Sequence, residues 1–180
     1  MRRWVLVLLA GLAALAGCSR GGGESIEERD LPARITVSSA AFADGAAIPE
    51  RFTCAGENVS PPLRWSGVPE GTAGVALVVD DPDAPRGTFV HWVVVGLDPA
   101  TEGLDEGAVP AGARQLPNSA GDAAWTGPCP PGGAAHHYRF TVYALAREPE
   151  VAGDPDPGAA VEAIEAAATA QGRLVGTFSR

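Results

Sequence analysis

Residues Val78–Gly96 read VVDDPDAPRGTFVHWVVVG. Two apolar, β-branched runs flank a polar knot. Such runs, bounded by Asp, Pro and Gly, are strands joined by a hairpin. The knot holds more chemistry than a turn requires: Asp80, Asp81, Asp83, Pro82, Pro85, Arg86, and His91 beside Trp92. Gly74–Val79 reads as a buried strand, and Thr88–Leu97 as a second. His136–Leu145 (HHYRFTVYAL) is a third. Ile35–Ser39 and Arg173–Phe178 are shorter β-prone runs. One helix is expected within Pro155–Gly172, where Ala159, Ala160 and Glu162–Ala170 favour helix and Gly172 can stop it. Asp98–Gly127 is a long Gly/Ala/Pro-rich excursion with weak periodicity. The fold class is mainly β, with a C-terminal helix and long loops.

Strand side chains alternate between faces. One face of the first strand holds Val75, Leu77, Val79 and then Asp81. In the second strand the alternation groups Phe89, His91, Val93 and Val95, and sends Trp92 into the core on the other side. In the third it groups His136, Tyr138, Phe140, Val142 and Ala144. Antiparallel pairing would bring Asp81, His91 and His136 together at one edge of the core. The result is a pocket with an apolar floor and a polar rim. His137 points away from His136, toward solvent. Each residue also has a plainer reading: Asp81 as a turn cap, His91 as a satisfied core histidine.

The 180-residue chain has a formal charge of −9 and no lysine. That balance disfavours a nucleic-acid partner, although a local pocket can still hold a small anion. At the N-terminus, MRRWVLVLLAGLAALAGCSR has two arginines, an apolar run and small residues before a cysteine. This is an export signal, and Leu15-Ala16-Gly17-Cys18 resembles a bacterial lipobox. Residues 1–17 then form a lipoprotein signal peptide. Cys18 is the lipidated residue, 18–34 are a tether, and 35–180 are the folded domain. Localisation follows: an exported, membrane-anchored lipoprotein, on the periplasmic face of the outer membrane in a Gram-negative cell and otherwise at the cell surface. Two cysteines remain, Cys54 and Cys129. Their even count in an oxidising compartment favours a disulfide, and two thiols beside a pocket are the alternative.

Several motifs occur in a familiar order: Asp81-Pro82-Asp83-Ala84-Pro85, His91-Trp92, Gly127-Pro128-Cys129-Pro130-Pro131, His136-His137-Tyr138-Arg139-Phe140 and Tyr143-Ala144-Leu145. In this they resemble the phosphatidylethanolamine-binding protein family. Phe52–Asn58 and Ser60–Trp65 fit its bacterial Raf-kinase-inhibitor-like branch (YbhB/YbcL type). The resemblance covers roughly residues 35 to 180. It implies a large antiparallel sheet packed on a smaller one, with a C-terminal helix. It also implies a small pocket for phosphate-like groups, including phospholipid head groups. By position the pocket residues are Asp81, His91, Pro130, Pro131, His136 and Tyr138, with Asp83 in support.

The expected function is therefore a membrane-anchored, regulatory binding module for a small anion or a phospholipid head group. A protease-inhibitor-type regulator, meeting a protein partner through loops such as Asp98–Gly127, is the alternative. An enzyme is not expected: HExxH, GxSxG and P-loop patterns are all missing from residues 35–180. Asp81, His91 and His136 could form a two-His, one-carboxylate metal site, but no metal or other cofactor is expected.

Overall fold

The computed structural model describes residues 31–32 and 34–180. The expected signal peptide, Cys18 and nearly all of the expected tether lie outside the described residues. The strands in chain order are β1 (Thr36–Ser38), β2 (Leu63–Ser66), β3 (Gly74–Asp81), β4 (Phe89–Leu97), β5 (Gly103–Leu104), β6 (Arg114–Leu116), β7 (His136–Leu145) and β8 (Ala168–Phe178). A short 3₁₀ turn spans Glu50–Phe52, and α1 covers Pro157–Ala167. Two antiparallel sheets result. The large one runs β6-β4-β3-β7-β8 and the small one β1-β2-β5.

β3 and β7 lie at the centre of the large sheet, and every residue of β3 is buried. The two faces of β3 feed two cores. Val75, Leu77 and Val79 pack with Trp65, Leu63, Phe140 and Leu174 on the small-sheet side. Ala76 and Val78 pack with Val161 and Ile164 of α1 on the other. A strand covered on both faces must be a continuous apolar run, as GVALVV is.

The helix begins as its sequence dictates. Asp156 caps it by accepting from the Gly158 and Ala159 amides, and Pro157 fills the first turn. It ends at Ala167, earlier than expected, and Gly172 does not stop it. Residues 168–172 extend instead, pairing with Leu145–Val142 of β7. The open hydrogen-bonding edge of β7, with an apolar face to cover, outweighs the helix propensity of Ala-Thr-Ala-Gln. Gly172 serves the sheet. Ile35 crosses it so closely that an added Cβ would run into the Ile35 carbonyl. Gly172→Ala is expected to cost about 2 kcal/mol by overpacking, read as a lower Tm with unchanged β content. A Tm equal to wild type would disprove the tight crossing.

Asp98–Gly127 is not without structure. It contributes β5 to the small sheet and β6 to the edge of the large one. At two and three residues these strands are too short to show a period.

The second correction concerns β4. Val79 pairs with Trp92, yet Asp80 pairs with Val90, which leaves His91 as the extra residue of a β-bulge. A second irregularity between Val75 and Leu77 is accommodated at Gly96, whose φ is +71°. The first bulge resets the alternation. Trp92 and Val94 join the small-sheet core, on the side to which His91 also turns, while Val93 and Val95 face the helix. Trp92 therefore does not face away from His91.

Candidate functional site

The bulge, the Asp81–Phe89 turn and the start of β7 meet at one end of the large sheet. They enclose a cavity of about 150 Å³. That room suits a group about the size of a benzene ring and falls below the range for drug-sized ligands. Asp81, His91, His136 and Thr126 supply its polar lining. Ala84, Pro85 and Phe89 form one apolar wall. Gly127, Cys129, Pro130 and Pro131 form another part of its lining.

Asp81 is the last residue of β3 and is 4% exposed. Its Oδ1 accepts from the Asp83 amide at 2.8 Å, an Asx turn that shapes the DPDAP knot. Its Oδ2 accepts from Nδ1 of His136 at 2.7 Å. Both oxygens are thus engaged, and the ring of His136 is fixed with Nδ1 toward the carboxylate. Adjacent Asp80 points to the other face and forms a two-pronged ion pair with Arg139, at 2.7 and 2.6 Å. Neighbouring carboxylates thus take separate tasks because strand alternation separates them: Asp80 is structural and Asp81 belongs to the cavity.

His91 is 5% exposed. Its Nδ1 lies 2.7 Å from the Thr126 carbonyl, which can only accept, so Nδ1 carries the proton. Burial lowers its pKa, opposed by the Thr126 bond and the charges of Asp81 and Asp80. Among the described residues no group bonds its Nε2, the nitrogen left for the cavity. The ring of Tyr138 meets it edge-on at 5.2 Å and that of Phe89 lies 4.7 Å away.

A second tier holds these groups. Asn118 is almost wholly buried. Its amide donates to the carbonyls of His91 and Ala124 and to the Thr126 hydroxyl, and its oxygen accepts from the Ala120 and Asp122 amides. The bulge carbonyl and the Thr126 segment are thereby tied to one side chain. The Cys129 wall is tied to the segment after Phe52. Cys54 and Cys129 form a disulfide with Cα atoms 5.4 Å apart, and the Cys54 amide donates to the Pro128 carbonyl. The Gly127 amide donates to Asn58, which adopts the left-handed φ of +58° that asparagine tolerates. Arg180 Nε donates to the Pro130 carbonyl.

Five of the residues expected at the pocket, Asp81, His91, Pro130, Pro131 and His136, line the cavity together. Two do not. Asp83 sits outside and accepts from both the backbone and Nδ1 of exposed His137, and that ring holds its carboxyl below the usual range. Tyr138 lies beneath His91, fully buried, with no partner for its hydroxyl among the described residues. Burial and the nearby Asp81 charge push that phenol upward. Sequence reasoning missed Asn118, Thr126 and Phe89. Phe89 was detectable, two residues before His91 on the same face. Asn118, in the turn-rich PNSAGD, carries no distinguishing signal.

Among the described residues, no group of three or more His, Cys, Asp or Glu side chains is placed to hold a metal ion. No described helix is long and apolar enough to cross a membrane.

Comparison with known proteins matches the family model described as phosphatidylethanolamine-binding protein to residues 38–179. The chain is 50% identical over 167 residues to a UPF0098 protein of Mycobacterium bovis, covering 92% of this chain and 81% of that one. It is 47% identical over 190 residues to "Putative lipoprotein LppC" of Mycobacterium tuberculosis, covering 94% and 92%. Among solved structures it is similar to YbcL of Escherichia coli, described as a member of the mammalian PEBP family. There the TM-score is 0.77 and the identity 34%, covering 82% of this chain and 99% of that one.

Proposed function

The chain belongs to the phosphatidylethanolamine-binding protein family, and on that premise we propose that it is a membrane-anchored binding module for a small phosphate-bearing anion. The observation that carries this reading is the convergence of His91 and His136 on one small cavity, each with Nδ1 committed to a protein acceptor. Their Nε2 atoms are left for a ligand. A protonated imidazole there donates a charge-assisted hydrogen bond to a phosphate oxygen. Pro130 and Pro131 have no N–H to offer, so they wall the cavity without competing. Asp81 orients the second ring: it holds Nδ1 of His136, which leaves Nε2 for the ligand.

Binding at His91 needs one proton shared between Nε2 and the phosphate, so affinity falls as pH rises. The sign is fixed by burial at His91. Its pKa lies below the ordinary 6.5, so near neutral pH the free ring is neutral and that proton must come from the solution or from the ligand. Titrating inorganic phosphate into the full chain, followed by histidine NMR from pH 5 to 8, is expected to shift His91 and His136 together and saturably. Affinity should weaken several-fold or more across that range. Affinity that stays flat, or rings that do not move, would refute the pocket.

Anchoring rests on Leu15-Ala16-Gly17-Cys18 and on the similarity to LppC. Cys18 would carry the acyl chains, and about two chains suffice for stable attachment. Labelled palmitate is the direct check: it should enter the wild-type chain and not Cys18→Ala. The pocket would then sit within a tether's reach of a bilayer, in a regulatory role set by whatever anion fills it.

A further inference from the structure

From the tautomer of His91 we infer that the pocket selects phosphate monoesters over phosphodiesters, with the monoester P–OH donating a hydrogen bond to Nε2 of His91. The inference rests on the anion-pocket reading above and specifies the ligand class for that site.

The argument starts from one hydrogen bond. The Thr126 carbonyl accepts at 2.7 Å, so the Nδ1 proton of His91 is fixed. In the neutral ring Nε2 is then a lone-pair acceptor. The bulge at His91 prevents easy rearrangement. Its carbonyl is held by Asn118 and by the Thr126 amide, and Thr126 is held by the same Asn118. The ring cannot flip to offer a proton without losing the Thr126 bond inside a buried site. A ligand meeting a buried acceptor must bring a donor, or a proton must be added to the ring.

Every group packed against His91 bears on that choice. On β3, Asp81 and Asp80 favour a protonated ring; on β7, His136 opposes it; burial opposes it most strongly. The Tyr138 hydroxyl stays protonated beneath the ring. The neutral ring is the resting state near neutral pH.

A phosphate monoester has a second ionisation near pH 6. Below that pH it carries one P–OH, which can donate to Nε2 of neutral His91, while an anionic oxygen of the same group faces His136. A diester, such as the head group of an intact phospholipid, has no such proton between pH 5 and 8. It must therefore add a proton to a buried imidazole.

The test is a matched pair sharing one amine: phosphoethanolamine, a monoester, and glycerophosphoethanolamine, a diester. Both are titrated against the full chain at pH 6.5, where a downward-shifted His91 is mostly neutral and the monoester still carries a share of its P–OH form, by calorimetry and by ¹⁵N NMR of the histidines. His136 contributes equally to both arms. The monoester is expected to bind at least about tenfold tighter, with His91 Nε2 unprotonated in its complex. In the diester complex that nitrogen is protonated. His91→Gln, whose amide can donate without taking a proton, should bring the two affinities within about twofold. Equal affinities in the wild type, with shifts at both histidines, would overturn the selectivity and leave the anion pocket standing. A preference unchanged in His91→Gln would overturn the assignment to His91. If neither compound moves His91 or His136, the anion-pocket reading itself falls.

Discussion

Exchange of Cys54 for serine is expected to lower stability by about 4 kcal/mol and to loosen the cavity wall. The bridge closes a loop with a sequence separation of 75 residues. Loop-closure entropy for that length lies between the values for short and hundred-residue loops, about 3 and 4.7 kcal/mol. For a domain of this size the change corresponds to a Tm lower by about 10 °C. The loss is not only entropic. Cys129 lines the cavity with Pro130 and Pro131, and the Cys54 amide donates to the Pro128 carbonyl one residue away. Without the bond, the wall keeps the contacts of Gly127 with Asn58 and of Pro130 with Arg180. Neither replaces a covalent tie at its centre. Reductant should lower the wild-type Tm to that of Cys54→Ser and leave the mutant unaffected. A wild-type Tm indifferent to reductant would show that the bridge contributes nothing in solution.

The parts of the fold visible in the sequence are those with no competing interpretation. β7 is legible at His136–Leu145 because polar and apolar residues alternate from His137 to Val142 and a β-prone apolar run completes it. Where two forces disagree, the sequence is silent about the winner. Ala168–Gln171 favour helix locally and strand globally, and only the free edge of β7 decides. The bulge at His91 is a fact about register, two residues facing one, and β4 taken alone cannot show it. Its consequence is large, since it turns Trp92 to the His91 side. Asp81, His91 and His136 were placed together by strand alternation on an assumed pairing. The pairing of β3 with both β4 and β7 is as assumed. Asp83 lies outside the cavity for a simple reason. The Asx turn at Asp81 rotates it outward, where His137 is available. The choice between bridged and free cysteines needed a distance, which no spacing of 54 and 129 provides.

Asp81→Asn isolates the polar centre of the site and is expected to change both the strength and the pH dependence of binding. Asp81 needs two acceptor oxygens, one for the Asp83 amide and one for Nδ1–H of His136. Asparagine has one oxygen and one NH₂. If the oxygen keeps the Asp83 turn, the NH₂ faces His136. The ring must then shift its proton to Nε2 so that Nδ1 can accept. Nε2–H now points to the cavity and can donate to an anion with no proton taken up. The gain is offset by loss of the carboxylate as a charged acceptor at Nδ1. Loss of a charge-assisted hydrogen bond costs about 2 kcal/mol, or roughly thirtyfold in affinity. That loss should appear fully at pH 5.5, where the wild type binds best. It should shrink toward pH 7.5, because the variant's Nε2–H is available to the anion at every pH. Phosphoethanolamine titrations at pH 5.5, 6.5 and 7.5 measure both quantities. Wild-type affinity with the wild-type slope would mean that Asp81 merely caps a turn. A uniform thirtyfold loss at all three values would mean that its charge acts without steering the tautomer of His136.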